Sequence, residues 1–224
     1  MSDSVTVLIP TLNEAARIAS AVRSAFAAGA AEVIVADGGS TDETVRIARE
    51  CGARIVAGES MRSRQLNRGA EAAVSDALVF LHADTTLPAG ACATIVNTLT
   101  GGAVFGGFRL RFAEDSLRLR LAAALINLRT RMTRCPWGDQ AQFVSRSAFL
   151  GSGGFLEIPI MEDYELAIRM KRRGRAVVLT QKVTTSGRRF LQRGILRTTF
   201  TNWRIIVAWR MGADAERLAR IYRG

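Results

Sequence analysis

Hydrophobic and polar positions alternate in two different rhythms along this chain. Val5-Thr6-Val7-Leu8-Ile9 is a short β-branched run stopped by Pro10, which predicts a buried strand. Helical spacing follows over residues 14–28, and Val33-Ile34-Val35-Ala36 predicts the next strand, with Asp37-Gly38-Gly39-Ser40 as its turn. Thr41 is placed to cap a helix over residues 42–51, with Asp42 and Glu43 in the first turn where the helix dipole favours acids. Arg54-Ile55-Val56 predicts a third strand, residues 62–74 a helix, and Leu78-Val79-Phe80-Leu81 a fourth strand. Strands that are apolar throughout and separated by amphipathic helices are buried on both faces. The expectation is an α/β fold, Rossmann-like, with a mostly parallel central sheet and helices on both faces. Sites in such sheets gather at the carboxyl ends of strands. Those ends carry residues 11–14, residues 37–42 and His82-Ala83-Asp84.

The second half is less regular. Residues 104–112 alternate as a strand, residues 116–132 have helical spacing rich in arginine, and a loop holds Pro136-Trp137-Gly138-Asp139-Gln140. Residues 151–159 suggest a loop, 161–173 a helix, 176–180 a strand, and the basic stretch from Arg188 a helical tail. No repeat or linker interrupts the pattern. The expected division is one domain over 1–185, with 186–224 as a basic helical extension of it.

Charge changes the picture. The net charge is +11 with only two lysines, Lys171 and Lys182, so arginine carries the excess. A positive surface favours phosphate-rich partners: nucleotides, nucleic acid or anionic lipid headgroups. Cys51, Cys92 and Cys135 are too widely spaced for a metal site or a disulfide framework, which suits a reducing cytoplasm. Met1-Ser2-Asp3-Ser4 runs directly into the first strand without a charged and apolar leader, and arginines interrupt every apolar stretch before membrane-spanning length. The expected location is cytoplasmic, either free or peripheral on the inner face of a membrane.

The first strand lacks G-x-G-x-x-G, which argues against dinucleotide binding. It is followed instead by Pro10-Thr11-Leu12-Asn13-Glu14, and the second strand ends Asp37-Gly38-Gly39-Ser40-Thr41-Asp42. Asn67-Arg68-Gly69, Leu81-His82-Ala83-Asp84 and Glu162-Asp163 come next, in that order. Together these resemble the family 2 glycosyltransferases of the GT-A fold over roughly the first 180 residues. L-H-A-D, G-D-Q and an arginine-rich tail resemble a small single-domain bacterial-type group within it.

The resemblance implies a metal-dependent enzyme that takes a sugar from a UDP- or GDP-linked donor. Asp37 matches the carboxylate that accepts the imide N–H of a nucleobase; by itself it is a turn acid that caps its own loop. Pro10, Thr11 and Glu14 belong to the same donor pocket by resemblance, and Arg62 is a candidate diphosphate contact, as are Arg188 and Arg189. Asp84 matches the family's metal-binding carboxylate for Mg²⁺ or Mn²⁺, which neutralises charge growing on the departing diphosphate. His82, the only histidine, stands where the family's first acid is usual, and is either a ligand or structural. Asp163 matches the general base that deprotonates an acceptor hydroxyl, with Glu162 supporting it. Trp137, Gly138, Asp139 and Gln140 lie where the family places acceptor-side residues; Trp137 is either a platform for a sugar or isoprenoid, or a buried structural ring. Gly106-Gly107 either admits a substrate to the backbone or marks a bulge.

Other classes remain in view. A nucleotidyltransferase shares the sheet but opens with a glycine-rich G-x-G-x-R-L loop, absent here. A basic nucleic-acid-binding module fits the charge but not the motifs, so nucleic acid is not an expected partner. A catalytically dead donor-binding relative fits the substitution at His82. From Leu117, residues Leu121, Leu125, Leu128 and Met132 recur at helical spacing, with Arg118 and Arg129 on one flank and Arg120 and Arg131 on the other. Such a helix, with a tail carrying Trp203 and Trp209, suits an anionic membrane surface and a lipid acceptor, or packing within the protein or a homodimer.

Overall fold

A computed structural model describes residues 4–223; Met1, Ser2 and Asp3 of the opening stretch and Gly224 lie outside it. The first half follows the expected alternation: β1 (Val5–Thr11), α1 (Ala15–Ala27), β2 (Glu32–Asp37), α2 (Thr44–Glu50), β3 (Arg54–Ala57), α3 (Arg62–Ala72) and β4 (Ala77–Phe80). Then come β5 (Thr85–Thr86), α4 (Ala91–Thr100), β6 (Ala103–Phe112), α5 (Leu117–Thr133), a 3₁₀ turn at Gly138–Gln140, and β7 (Gln142–Ser145). The chain finishes with α6 (Arg146–Leu150), α7 (Glu162–Arg173), β8 (Arg175–Thr185), α8 (Arg188–Arg193), α9 (Ile195–Arg210) and α10 (Ala215–Arg223).

One mixed sheet runs in the order β3-β2-β1-β4-β7-β6-β8-β5. β3, β2, β1 and β4 are mutually parallel, β7 lies antiparallel between β4 and β6, and β6 and β8 are parallel. β1 sorts its side chains by alternation: Val5, Val7 and Ile9 enter the core beneath α1 and α4, whereas Leu8 joins Ile34, Leu78 and Phe80 on the opposite face. That second face is covered by α3, α6 and α7, and also by Ile205 of α9 and Leu218 of α10, so the basic tail contributes to the core.

Two local expectations are corrected. Thr41 does not cap α2: its N–H donates to Asn13 Oδ1 at 2.9 Å, the residue before the helix is Glu43, whose side chain caps nothing, and Asp42 accepts from the Thr44 N–H at 3.0 Å. Gly106 and Gly107 neither admit substrate nor form a bulge. A Cβ at Gly106 would lie 2.3 Å from the Phe143 ring and one at Gly107 2.5 Å from Pro136, so the protein itself fills that space. The register shifts of β6 fall elsewhere, at Ala103/Phe105 and Phe108/Arg109.

Candidate active site

Parallel register brings the ends of β1 and β2 level, pairing Thr11 with Asp37. Beyond them the two loops are stitched together. The Asn13 N–H donates to Ser40 Oγ at 2.9 Å, the Glu14 N–H to Thr44 Oγ1 at 2.8 Å and the Ala15 N–H to Asp42 Oδ2 at 3.2 Å. Asn13 holds a left-handed φ of 57°, tolerable for asparagine and rare for other non-glycine residues. Asp37, 4% exposed, accepts from the N–H groups of Gly39 and Ser40 at 2.9 Å each, from Ser40 Oγ at 2.5 Å and from Thr11 Oγ1 at 3.2 Å. Gln65, buried beneath, donates through Nε2 to the carbonyls of Thr11 at 2.8 Å and Ala36 at 2.7 Å. A Cβ at Gly38 would stand 3.0 Å from that amide, which explains a glycine there.

This floor supports a cleft of about 260 Å³ lined by Pro10, Thr11, Glu14, Arg62, His82 and Asp84, among others. Its size falls just below the range of about 300–1,000 Å³ usual for ligand sites. Pro10, Arg62 and His82 also border a much smaller cavity that reaches Asp163, Glu162 and Gly138. Arg62 and His82 therefore form a common wall between the two spaces. Arg62 donates through Nε to buried Glu162, its Nη1 lies 3.2 Å from His82 Nε2, and its Nη2 lies 4.0 Å from Asp163 Oδ2. Burial opposes the charge on Arg62, but Glu162 and then Asp163 outweigh it and raise its pKa. Burial and the Arg62 charge together push His82 down to about 4, against weaker pulls from Asp84 and Asp163. The neutral ring accepts from Arg62 through Nε2, which assigns its proton to Nδ1.

Asp163 lies in the first turn of α7 and accepts through Oδ2 from the Gly138 N–H at 2.6 Å and through Oδ1 from the Tyr164 N–H at 2.8 Å. Gly138 is wedged: a Cβ there would lie 2.8 Å from His82 Nε2 and 2.9 Å from Asp163 Oδ2. The next residue, Asp139, has a buried Oδ1 with no hydrogen-bond partner among the described residues. Burial, opposed by Arg129 and reinforced by Asp163 and Asp84, lifts its pKa to about 6. Asp84 itself borders the cleft and accepts from Thr85 Oγ1 at 3.3 Å. Among the described residues no group of three or more His, Cys, Asp or Glu side chains stands ready to hold a metal alone.

Other predicted residues are occupied differently from expectation. Gln140 has nothing to offer an acceptor: it is fully buried, donates to the Phe108 carbonyl at 2.9 Å, and accepts from Thr130 Oγ1, Arg129 Nη2 and the Trp137 N–H. One face of Trp137 is covered by the Arg129 guanidinium, 3.4 Å from the ring centroid. Arg129 thus turns inward rather than flanking the α5 stripe. Arg62 spends its charge on Glu162 and its neighbours, and Arg189 stacks on Tyr222 at 3.5 Å. Glu14 pairs with Arg17 at 2.9 Å.

Gln65 and Gln142 were not legible as site residues. Gln142 donates to the Pro136 and Asp163 carbonyls at 2.9 Å each, holding the Trp137 turn against the start of α7. Nothing in a lone glutamine distinguishes these from surface amides. The Asn67-Arg68-Gly69 motif is explained by contacts. Asn67 clamps Phe155 with two backbone hydrogen bonds, and a Cβ at Gly69 would press to 3.2 Å on Leu8.

A mixed α/β sheet with its cleft over the carboxyl edge of β1 and β4 has GT-A architecture. The family described as Glycosyl transferase family 2 matches residues 6–156, and the chain belongs to it. A 54-residue stretch is 46% identical to glycosyltransferase AglJ of Haloferax volcanii, covering 24% of this chain and only 18% of that protein. The fold matches residues 1–349 of S. aureus TarS with a TM-score of 0.65 at 12% identity, covering 98% of this chain and 69% of the other. It also matches Mycobacterium tuberculosis glucosyl-3-phosphoglycerate synthase, solved with Mn²⁺, UDP-glucose and phosphoglyceric acid, with a TM-score of 0.59 at 22% identity, covering 81% and 70%. At such identities the likeness concerns the fold.

Proposed function

We propose that this protein is an inverting glycosyltransferase that moves a sugar from a UDP- or GDP-linked donor to an acceptor hydroxyl. The observation that carries this reading is the pair of cavities that share Pro10, Arg62 and His82, with Asp84 bordering one and Asp163 the other. The donor's nucleoside end belongs over Asp37 and Thr11, its diphosphate towards Asp84. Asp163 takes the proton of the acceptor hydroxyl as its oxygen bonds to the anomeric carbon. The bond from that carbon to the diphosphate breaks, and the nucleoside diphosphate leaves with the electron pair. One displacement inverts the anomeric centre. Residues 1–185 would form the transferase domain and 186–224 its extension, in the group with L-H-A-D and G-D-Q.

The residues suit a divalent cation whose shell is completed by the donor. Asp139 carries an orphaned buried oxygen and is raised to about 6, with Asp163 and Asp84 adding to the effect of burial. Burial is the main penalty on that carboxylate, and Mg²⁺ or Mn²⁺ held close by would offset it. Asp84 would hold the ion; His82 Nε2, engaged by Arg62, would not. When bound, the ion supplies Lewis-acid neutralisation of the leaving diphosphate.

The test is thermal stabilisation by UDP- and GDP-sugars with and without Mn²⁺. A ligand at one hundred times its Kd adds about 2.7 kcal/mol to the folded state. Stabilisation that needs metal, and loses that need in Asp84→Ala, is the expected result. No stabilisation by any nucleotide-sugar, or an undiminished metal response in the variant, would sink the reading.

A further inference from the structure

We infer that α5 and α9 together form a docking face for an anionic membrane surface. The two helices pack against one another. On α5, Leu117, Leu121, Leu125, Leu128 and Met132 form one outward stripe, 80% exposed at Leu117 and 77% at Met132, while Leu119 on the opposite side is fully buried. On α9, Phe200, Trp203, Val207 and Met211 form a second outward stripe, with Trp203 58% exposed, while Ile205 faces the core. Trp209 turns inward and belongs to the packed side. Chains in water rarely leave apolar stripes of this length uncovered on two helices that touch, so a partner is implied.

Charge selects the partner. Residues 117–134 contain five arginines and no acid, and residues 186–224 nine arginines and two acids. These segments therefore hold +5 and +7 of a total of +11, which leaves the rest of the chain at −1. The whole basic excess thus sits in the segments that carry the apolar stripes. On α5, exposed Arg118 and Arg131 flank the stripe on opposite sides; on α9, exposed Arg197 and Arg204 stand on one flank, whereas Arg210 on the other donates through Nε to Tyr164 Oη at 2.9 Å. Apolar insertion framed by basic side chains is the chemistry of a bilayer with anionic headgroups. A second copy of this face would bring like charges together. Nucleic acid would leave the leucines uncovered. The arrangement also reaches the site, because Arg129 of α5 stacks on Trp137 beside the Gly138–Gln140 turn. Combined with the transferase reading, on which this last step alone rests, the acceptor would be lipid-borne.

Flotation of the whole protein with vesicles of phosphatidylcholine, alone or mixed with phosphatidylglycerol, tests the docking. Binding is expected only with the anionic lipid, falling as salt is raised and dropping at least tenfold in Leu125→Glu and Trp203→Glu. Both positions are exposed, and circular dichroism of each variant checks its fold. A blue shift of tryptophan fluorescence on vesicle addition, lost in Trp203→Phe, is the second expected sign. Three results would overturn the proposal: no vesicle binding together with a dimer that Leu125→Glu dissociates, retention on RNA without vesicle binding, or vesicle binding that both glutamate variants leave intact. Nucleotide-sugar stabilisation is measured without vesicles, so failure here leaves the transferase reading standing, and the reverse.

Discussion

The Gly138 N–H donates to Asp163 Oδ2 at 2.6 Å, tying the Gly138–Gln140 turn to the proposed base. The same Gly138 abuts His82 Nε2, so a side chain at this position would displace both neighbours. Gly138→Ala should therefore lower stability by about 1–3 kcal/mol, as overpacking does. It should lower turnover at least tenfold, because a misplaced base loses the alignment on which proton transfer depends. Denaturation and steady-state kinetics on the same preparation check both. Wild-type turnover in the variant would mean that Asp163 needs no such alignment.

Asp163→Asn keeps an oxygen for the Gly138 N–H, gives up the bond from the Tyr164 N–H, and is nearly the same size, so the fold should persist at a cost of about 1–3 kcal/mol. Transfer should fall by about 10²–10⁴-fold, the range for loss of a general base. Donor affinity should stay within a few-fold, since the acceptor proton is the carboxylate's concern. The reading fails if purified variant transfers sugar at near wild-type rate.

Asp139 sets a pH dependence of stability. Its folded pKa, about 6, lies above the ordinary 3.8, so the folded state holds its proton more tightly than the unfolded state. The cost of ionising it is fully present above about pH 6 and vanishes below about pH 4. Asp139→Asn, neutral throughout, should stabilise the metal-free protein by about 1–3 kcal/mol at pH 7.5 and by nothing at pH 4. Urea unfolding across that range is the measurement. Equal effects at both ends, or destabilisation at pH 7.5, would show that the carboxylate is not strained by its surroundings.

The first half of the sheet was readable because its strands are apolar on both faces and each ends in a turn with its own chemistry. β7 was not, because Gln142–Ser145 is four residues long and acquires its identity only by inserting between β4 and β6. β5 and α4 were missed for a similar reason: two threonines do not announce a strand, and the β-branched, threonine-rich α4 is a weak helix former. At the site, the acids were visible as residues in motifs, but their partners were not. Arg62 was expected at a phosphate and instead reaches across 100 residues to Glu162. Gln140 belongs to the same G-D-Q motif as Asp139, yet its amide is consumed within the protein. Sequence spacing places a residue near a site; only the packing decides whether its polar atoms are free.

The clasp between the first two loops offers a last prediction, in which conformation and hydrogen bonding separate. Asn13 contributes three features: a left-handed φ of 57°, an Oδ1 that accepts the Thr41 N–H at 2.9 Å, and an N–H that donates to Ser40 Oγ at 2.9 Å. That Ser40 hydroxyl in turn donates to Asp37 Oδ1 at 2.5 Å, so the clasp bears directly on the carboxylate proposed to read the nucleobase. Asn13→Gly loses the side-chain acceptor but tolerates the backbone angle. Asn13→Ala loses the acceptor and strains the angle as well. The glycine variant should cost about 1 kcal/mol, for one hydrogen bond. The alanine variant should cost about 1 kcal/mol more, the left-handed penalty of an ordinary residue. Both should weaken nucleotide-sugar binding, measured by titration calorimetry, because the loop that carries Ser40 over Asp37 loses its tether at the Thr41 N–H. The order of stabilities isolates the backbone contribution, while a shared loss of affinity isolates the hydrogen-bond relay. Should both variants bind donor as tightly as wild type, the Asp37 cradle holds without the clasp, and the asparagine serves only the fold.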